Sequence, residues 1–558
     1  MAKGYREVGR DQLWLFPPSL TDLLGQDHPV FLVIEVVGRH LDTGAFHAGR
    51  RTGGPGAAGY DPDMLVTLLV WAYANGVTSS RRIEQLCGTD AAFMAICGPG
   101  QAPDHVTIAR FRAGFAGAAG AFFAQVLGLC AELGMGRLGV VALDGTKVAA
   151  SASKAANRTH ERLAALAAES VAAHGDADAA EDAMFGPGAR GDEVPQDAWS
   201  PRRRDGRIKA ALASLDARRA EEQEAEQAKA AQFRARREDG QRTGPAPAGA
   251  AAVLAQEKLD RAVAAQQARC DDWDTRNAAK TAATGTGLNG PRPADPGEYA
   301  RVRQAQEHLD KVRARAAARQ QKKQEQAQGR PAPVRNITDP DSRLMPVRGG
   351  GFIQGYNAQN VTSEDGLIIA TELTQDTGDV AWFEPMMAAA RDAAALIAAR
   401  RPAPSHDTAS HDAGEPDGGS QDAGADRIGL ALCDCGYCSE HNLTCPGPDR
   451  LIAVGKHRDL EKAARGQKQA GRSNTGPATQ AMAERLKTPD GIAAYRHRGH
   501  IAETPHGHIK HNMGFRQLSM RGKTKATAEW TFATTVRNLF KAISAGHLTA
   551  TALTALAS

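Results

Sequence analysis

The sequence predicts an α/β fold, a mixed sheet with helices on its faces, preceded by a helical N-terminal domain and interrupted by a long helical insertion. Three observations carry this. Short apolar runs without helical spacing, the pattern of buried strands, occur at 138–143 and 428–433, and further strand-like stretches at 352–361, 367–373 and 451–455. Residues 1–135 read instead as mainly helical. Between 151 and 335 the composition turns to Ala, Gln, Glu, Arg and Lys with few aromatics, which favours long helices over a packed sheet.

In chain order, Met64–Tyr73 is apolar nearly all round and predicts a helix buried inside the N-terminal domain. Ser79 and Ser80 precede a second helical pattern carrying Arg81 and Arg82, and Asp104 opens a third carrying Arg110 and Arg112. These four arginines are candidates for phosphate contact in a helix-turn-helix; a helical packing domain with surface arginines is the alternative. Leu138–Leu143 is the first strand. In the insertion, apolar residues at Ile208, Leu212 and Leu215, and at Val302, Leu309 and Val312, suit a helical arm or antiparallel coiled hairpin, with breaks at 244–251 and 284–297. Phe352–Val361 and Leu367–Leu373 predict consecutive strands around the Glu364-Asp365-Gly366 turn, followed by a helix over 382–399. The Asp/Gly/Pro/Ser/His-rich stretch 400–426 has too little apolar surface to pack and reads as a flexible loop. Strands at 428–433 and 451–455, a helix around Glu503 and an amphipathic helix around 530–543 complete the core.

Three acids stand out. Asp144 and Asp434 each end an apolar run and are followed by glycine one or two positions on. Two strands thus present carboxylates at their carboxyl ends, where open α/β sheets usually place ligands. Glu503 lies in an Arg/Lys/His-rich stretch, with Arg496 and Lys510 seven residues to either side, which on a helix lines an acid with two cations. Pro505 and Gly507 interrupt that pattern. Carboxylates are hard ligands suited to Mg²⁺ or Mn²⁺, and a pair of such ions can stabilise both the attacking and the leaving oxygen of a phosphoryl displacement. The alternative is that each aspartate caps a turn and Glu503 is a solvated helix acid.

The words around these acids extend the pattern. "ALDGTKVAASAS", "LCDCGYCSEHNL" and "YRHRGHIAETPHGHIKHNMGFRQLSMRG" resemble the three catalytic blocks of bacterial insertion-sequence DDE transposases, which have a ribonuclease-H-like core. "YDPDMLVTLLVWAYANGVTSSRRIEQLC" is similar to their helical N-terminal domain. The resemblance implies a helical DNA-binding domain over 1–135, a catalytic domain over 136–150 and 336–558, and an insertion over 151–335. It implies Asp144, Asp434 and Glu503 as ligands of two Mg²⁺ or Mn²⁺ ions, with Tyr495, Arg498 and Lys510 in support; Arg496, in the same basic stretch, is a candidate for DNA contact. Four residues separate Arg498 from Glu503 where the commonest form of the family signature has three. The implied activity is binding of terminal inverted repeats, cleavage and strand transfer on double-stranded DNA, by a homodimer. A ribonuclease-H-like nuclease without strand transfer and an element-derived DNA-binding protein are the alternatives.

Composition sets outer bounds. A chain of 558 residues is long enough for three to four domains, and its net charge of +4 points to local basic clusters rather than to a polybasic protein. The N-terminus lacks an apolar signal core and no apolar run reaches a membrane span, so a cytoplasmic protein, nucleoid-associated when bound to DNA, is expected. Eight cysteines do not suggest a disulfide scaffold. Cys433, Cys435, Cys438 and Cys445 cluster, but without the second ligand pair of a zinc site, and are expected as small buried residues.

Overall fold

The computed structural model describes residues 19–48, 59–98, 101–170, 172, 204–240, 248–327, 333–347, 350–402, 427–455 and 476–557. The stretch 403–426, most of the expected flexible loop, lies outside them. Contacts divide the chain into two units, one of residues 1–156 with 338–558 and one of residues 157–337.

The first unit is mixed α/β. Its helical part contains α1 (Pro62–Ala74), α2 (Ser80–Cys87), α3 (His105–Ala113) and α4 (Ala119–Glu132). Asp61 caps α1 with Pro62 at its first position, a combination that satisfies one free N–H and removes another. Ten of the thirteen residues of α1 are buried, as its all-round apolar pattern requires. Asp104 caps α3, accepting from the amides of Val106 and Thr107.

The sheet has six strands: β1 (Val140–Ala149), β2 (Arg343–Pro346), β3 (Phe352–Ser363), β4 (Ile368–Thr374), β5 (Leu430–Cys433) and β6 (Asp449–Ile452). Their order is β2-β3-β1-β5-β6, with β4 also paired to β3. β1 runs antiparallel to β3 and parallel to β5, and β6 is parallel to β5, so the sheet is mixed. The β3–β4 hairpin closes at the expected turn, where Gly366 adopts φ +86°, a left-handed conformation that costs glycine little.

Helices α5 (Phe383–Arg400), α6 (Pro477–Arg485), α7 (Pro489–Gly507) and α8 (Lys523–Ser544) belong to the same unit. α8 is tied to the sheet by more than apolar contact. The Asn538 side chain bonds both the amide and the carbonyl of Ile368, at 2.9 and 2.7 Å, and the Trp530 indole donates to Thr371. Glu529, fully buried on the same helix, accepts from the Tyr73 hydroxyl of α1 and from the amides of Ser519 and Met520. One carboxylate thus joins the helical part to the segment that follows the Glu503 region.

Two sequence expectations change here. Asp144 does not end its strand: β1 continues to Ala149, and Gly145 and Thr146 stay paired with Gln359 and Ala358 of β3. What ends is the parallel ladder, whose last pair is Leu143 with Cys433, so Asp144 lies mid-strand where its neighbour β5 stops. Nor does the Glu503 helix carry Arg496, Glu503 and Lys510 along one regular face. After Pro505, α7 passes into a π-helical turn over His508–Asn512, which swings Lys510 out of the heptad line.

The second unit holds three long helices, Arg204–Glu238, Ala248–Thr284 and Ala300–Ala327. Ala255, Leu259, Val302, Ala305 and Leu309 form a small seam between two of them. The break between these helices is held by Arg292, which bonds Asp274 and Asp295. A two-stranded ladder, Asn157–Thr159 with Val334–Asn336, closes the unit's base.

Candidate active site

The register of β1 and β5 sets Asp144 and Asp434 side by side, one residue beyond the last parallel pair. Both are partly buried, and the Asp144 charge acts on Asp434. Burial, and after it the Asp144 charge, raise the Asp434 pKa above the usual carboxylate range. Burial also opposes ionisation of Asp144, but His506 and Arg498 outweigh it and hold its pKa below the ordinary value. Two adjacent carboxylates driven apart in this way form a site that gains from a bound cation, because the cation relieves the repulsion.

α7 supplies the other wall. Tyr495 donates its hydroxyl to the Cys433 carbonyl at 3.0 Å, bracing the residue before Asp434. One turn on, the Arg498 guanidinium lies 5.9 Å from the Tyr495 ring centre, 3.9 Å from Asp144 and 3.8 Å from Glu503. Arg498 therefore stands between the two acids, and the Glu503 side chain is 61% exposed. His506 reaches Asp144 instead, with Nδ1 3.6 Å from Oδ2. Lys510 donates to the Thr146 hydroxyl and the Lys147 carbonyl of β1, and burial lowers its pKa. Arg496 is exposed on the same helix.

A fourth carboxylate was not singled out by the sequence. Asp379 accepts from the side-chain amides of Asn357 and Gln359, both at 2.7 Å, and lies 3.7 Å from the Lys147 ammonium. It explains the glycines beside the two aspartates. A Cβ on Gly145 would fall 2.7 Å from the Asp379 Oδ1, and one on Gly436 would fall 3.0 Å from its Oδ2. The signal in the sequence was the Asp-Gly spacing itself, but nothing in it names the acid that needs the space.

Of the arginines assigned to DNA, Arg81, Arg82 and Arg110 are exposed. Arg81 and Arg110 line a cleft of about 980 Å³ with His105 and Arg516. Arg112 is 7% exposed and turns inward, donating to the Thr78 carbonyl, Ser80 and Tyr73. Its guanidinium serves packing, and the surface is left to its neighbours.

Among the described residues, the acid and histidine group whose ligand atoms all lie within 4.8 Å of one another is His47, Asp61 and Asp63 of the helical part. Local bonds account for it: Asp61 caps α1, and Asp63 accepts from Thr43 and pairs with His47 at 2.8 Å. Asp144, Asp434 and Glu503 do not form such a group, since Arg498 holds the third acid away. The donors around the aspartate pair nevertheless fit a divalent cation. Two carboxylates follow the last parallel pair on neighbouring strands, Nδ1 of His506 stands 3.6 Å from one of them, and Oδ1 of Asn357 on β3 is buried without a hydrogen-bond partner. No disulfide joins the cysteines; Cys433 and Cys445 are buried, as expected, while Cys435 is exposed and Cys438 half-buried. No single helix among the described residues is long and apolar enough to cross a membrane.

Comparison with protein families gives two matches. Residues 18–114 match the family described as Transposase domain (DUF772), and residues 459–543, which include Glu503 and Lys510, match the Transposase DDE domain. No curated protein and no solved structure matches the chain. DDE transposase domains generally use divalent metal ions, in keeping with the carboxylate pair. Together the two matches support membership of the insertion-sequence DDE transposases.

Proposed function

We propose that this protein binds the inverted repeats at the ends of an insertion sequence and catalyses metal-dependent cleavage and strand transfer of double-stranded DNA. The observation that carries the reading is the juxtaposition of Asp144 and Asp434 across adjacent parallel strands, with Arg498 and Lys510 beside them. The mixed sheet with its helical faces is then a ribonuclease-H-like core, and the catalytic domain joins 136–150 to 336–558 around the insertion.

Asp144 and Asp434 would hold Mg²⁺ or Mn²⁺, two ions in the complete site, with Glu503 as the third carboxylate. Such ions activate water and neutralise charge on the phosphoryl oxygens. Arg498, already close to both acids, binds a non-bridging phosphate oxygen. Lys510 adds a second cation from β1's side of the site. Tyr495 keeps β5, and so Asp434, in register with β1. Arg81, Arg110 and Arg496 contact the DNA backbone, a role that needs exposed cations and no base reading. Two copies acting on paired ends would present one such site to each end.

The test uses labelled element-end DNA and a target plasmid. Unaltered protein cleaves the end and joins it to the plasmid only with Mg²⁺ or Mn²⁺. Glu503→Gln and Asp144→Asn retain end binding and lose both steps. Cleavage without joining identifies a nuclease, and end binding without cleavage by the unaltered protein overturns the enzymatic reading.

A further inference from the structure

We propose that His506 is a nitrogen ligand of the cation held on Asp144, and that it biases this site towards manganese over magnesium. The inference rests on the reading of Asp144 and Asp434 as the cation-binding pair.

The placement comes from α7. His506 lies eight residues after Arg498, close to the same helix face, and both turn towards β1. They divide the Asp144 carboxylate between them: Arg498 Nη1 stands 3.9 Å from Oδ1, and His506 Nδ1 stands 3.6 Å from Oδ2. Glu503, between them in sequence, points to the exposed side. The α7 donor that reaches the buried edge of the carboxylate is therefore an imidazole, and the carboxylate lies further out.

The distance separates two roles. At 3.6 Å the imidazole and the carboxylate are beyond a normal hydrogen bond. Two ligand atoms that each lie about 2.1 Å from one ion stand roughly 3 to 3.5 Å apart, depending on the angle between them. At 3.6 Å the pair stands just beyond that spacing, so the ring closes slightly on the carboxylate when an ion binds between them. The ring is 7% exposed and its Nε2 has no hydrogen-bond partner, so no competing bond fixes the ring elsewhere. The orphaned Nε2 takes no part in the coordination; Nδ1, which faces Asp144 beyond hydrogen-bond distance, is the atom placed to take the ion.

The donor type sets the preference. Mg²⁺ keeps to oxygen ligands and to near-ideal octahedral geometry, whereas imidazole suits transition metals. Asp144, Asp434 and His506 are not a group whose ligand atoms already lie within 4.8 Å of one another; drawn together on an ion, carboxylates with one imidazole admit Mn²⁺ with less penalty than Mg²⁺. Histidine-rich surroundings hid this residue in the sequence, because five histidines occur between 497 and 511 and only the fold distinguishes the one that faces Asp144.

The experiment loads the full-length protein with Mn²⁺ without DNA and measures binding by electron paramagnetic resonance, with pulsed detection of nitrogen coupling to the ion. Asp144→Asn serves as the reference, since it keeps any ion bound by His47, Asp61 and Asp63, and only the Asp144-dependent signal is scored. The expected signal shows ¹⁴N coupling that changes to the ¹⁵N pattern when the protein is grown on ¹⁵N-histidine, a check requiring no substitution. His506→Phe, close in size but without a donor, and His506→Gln both lose this coupling. Their Mn²⁺ affinity falls at least about tenfold, the cost of removing even an outer-shell partner of a metal, and Mg²⁺ affinity falls less. Asp144-dependent Mn²⁺ binding without histidine coupling, or coupling that persists in both His506 variants, overturns the inference and leaves the proposed function standing. Absence of any Asp144-dependent binding overturns the cation-binding reading itself.

Discussion

Glu529 offers the sharpest test of how the helical part and the sheet are held together. Its carboxylate is fully buried and accepts from four donors: the Tyr73 and Ser519 hydroxyls and the amides of Ser519 and Met520. Glu529→Met keeps most of the volume and removes every acceptor. The two hydroxyls can rotate to other partners, but the two backbone amides cannot, and each buried N–H left unpaired costs about 1–3 kcal/mol. A destabilisation of about 3–4 kcal/mol follows, a large fraction of the roughly 5–15 kcal/mol that holds a domain together. Glu529→Gln should cost only about 1–2 kcal/mol, because its oxygen can serve the amides while both hydroxyls turn to accept from its NH₂ group. Native-state hydrogen exchange read by mass spectrometry reports this locally. Amides over 515–535 should exchange two to three powers of ten faster in the methionine variant, at about 1.4 kcal/mol per tenfold. The reasoning fails if methionine is tolerated within 1 kcal/mol, or if glutamine is as damaging as methionine.

Gly145→Ala places a methyl group 2.7 Å from Asp379 Oδ1 and Gln359 Nε2; end cleavage should fall at least about tenfold, for a displacement costing about 1–3 kcal/mol, while circular dichroism shows unchanged helix content. Arg112→Met should lower stability to urea by about 2–3 kcal/mol through lost buried charged hydrogen bonds. Arg110→Ala should leave stability unchanged and reduce the salt dependence of DNA binding by about one unit of slope, as expected for one lost phosphate contact. The Asp449 pKa is lowered chiefly by its hydrogen bonds from Arg485. A depressed carboxyl contributes stability that is complete above its unfolded value and lost as pH falls through the folded one, so Asp449→Asn should flatten part of the decline in stability below about pH 4. Both side chains are substantially exposed, at 54% and 44%, so the effect should stay under about 1 kcal/mol, as measured by urea titrations across acid pH.

Much of the secondary structure was legible because it rests on local periodicity. Stretches such as Leu430–Cys433 and Ile368–Leu373 read as strands, since they are short, lack helical spacing and stop at turn residues. The all-round apolar Pro62–Ala74 read as a buried helix for the corresponding reason. The Asp-Gly words marked where carboxylates and close backbone approach coincide. Strand register was not legible: that Leu143 pairs with Cys433, and so sets Asp144 beside Asp434, depends on pairing across nearly 300 intervening positions.

Helix periodicity sets the relative direction of side chains, but which of them faces inward was decided by tertiary structure. Arg110 and Arg112 are alike in sequence, yet one is exposed and the other spends its guanidinium on Thr78 and Ser80, because two residues along a helix turn a side chain through about 200°. Glu503 and His506 likewise lie three apart on one helix, and Arg498 takes the space between Glu503 and Asp144 while His506 fills the buried side. Asp379 reaches the site from the loop before α5, where no local pattern marks it. Sequence alone determined the elements and the inventory of acids and cations, since those follow from near neighbours along the chain. Packing determined which of them meet, since charges act over a few ångströms of space whatever their separation in sequence.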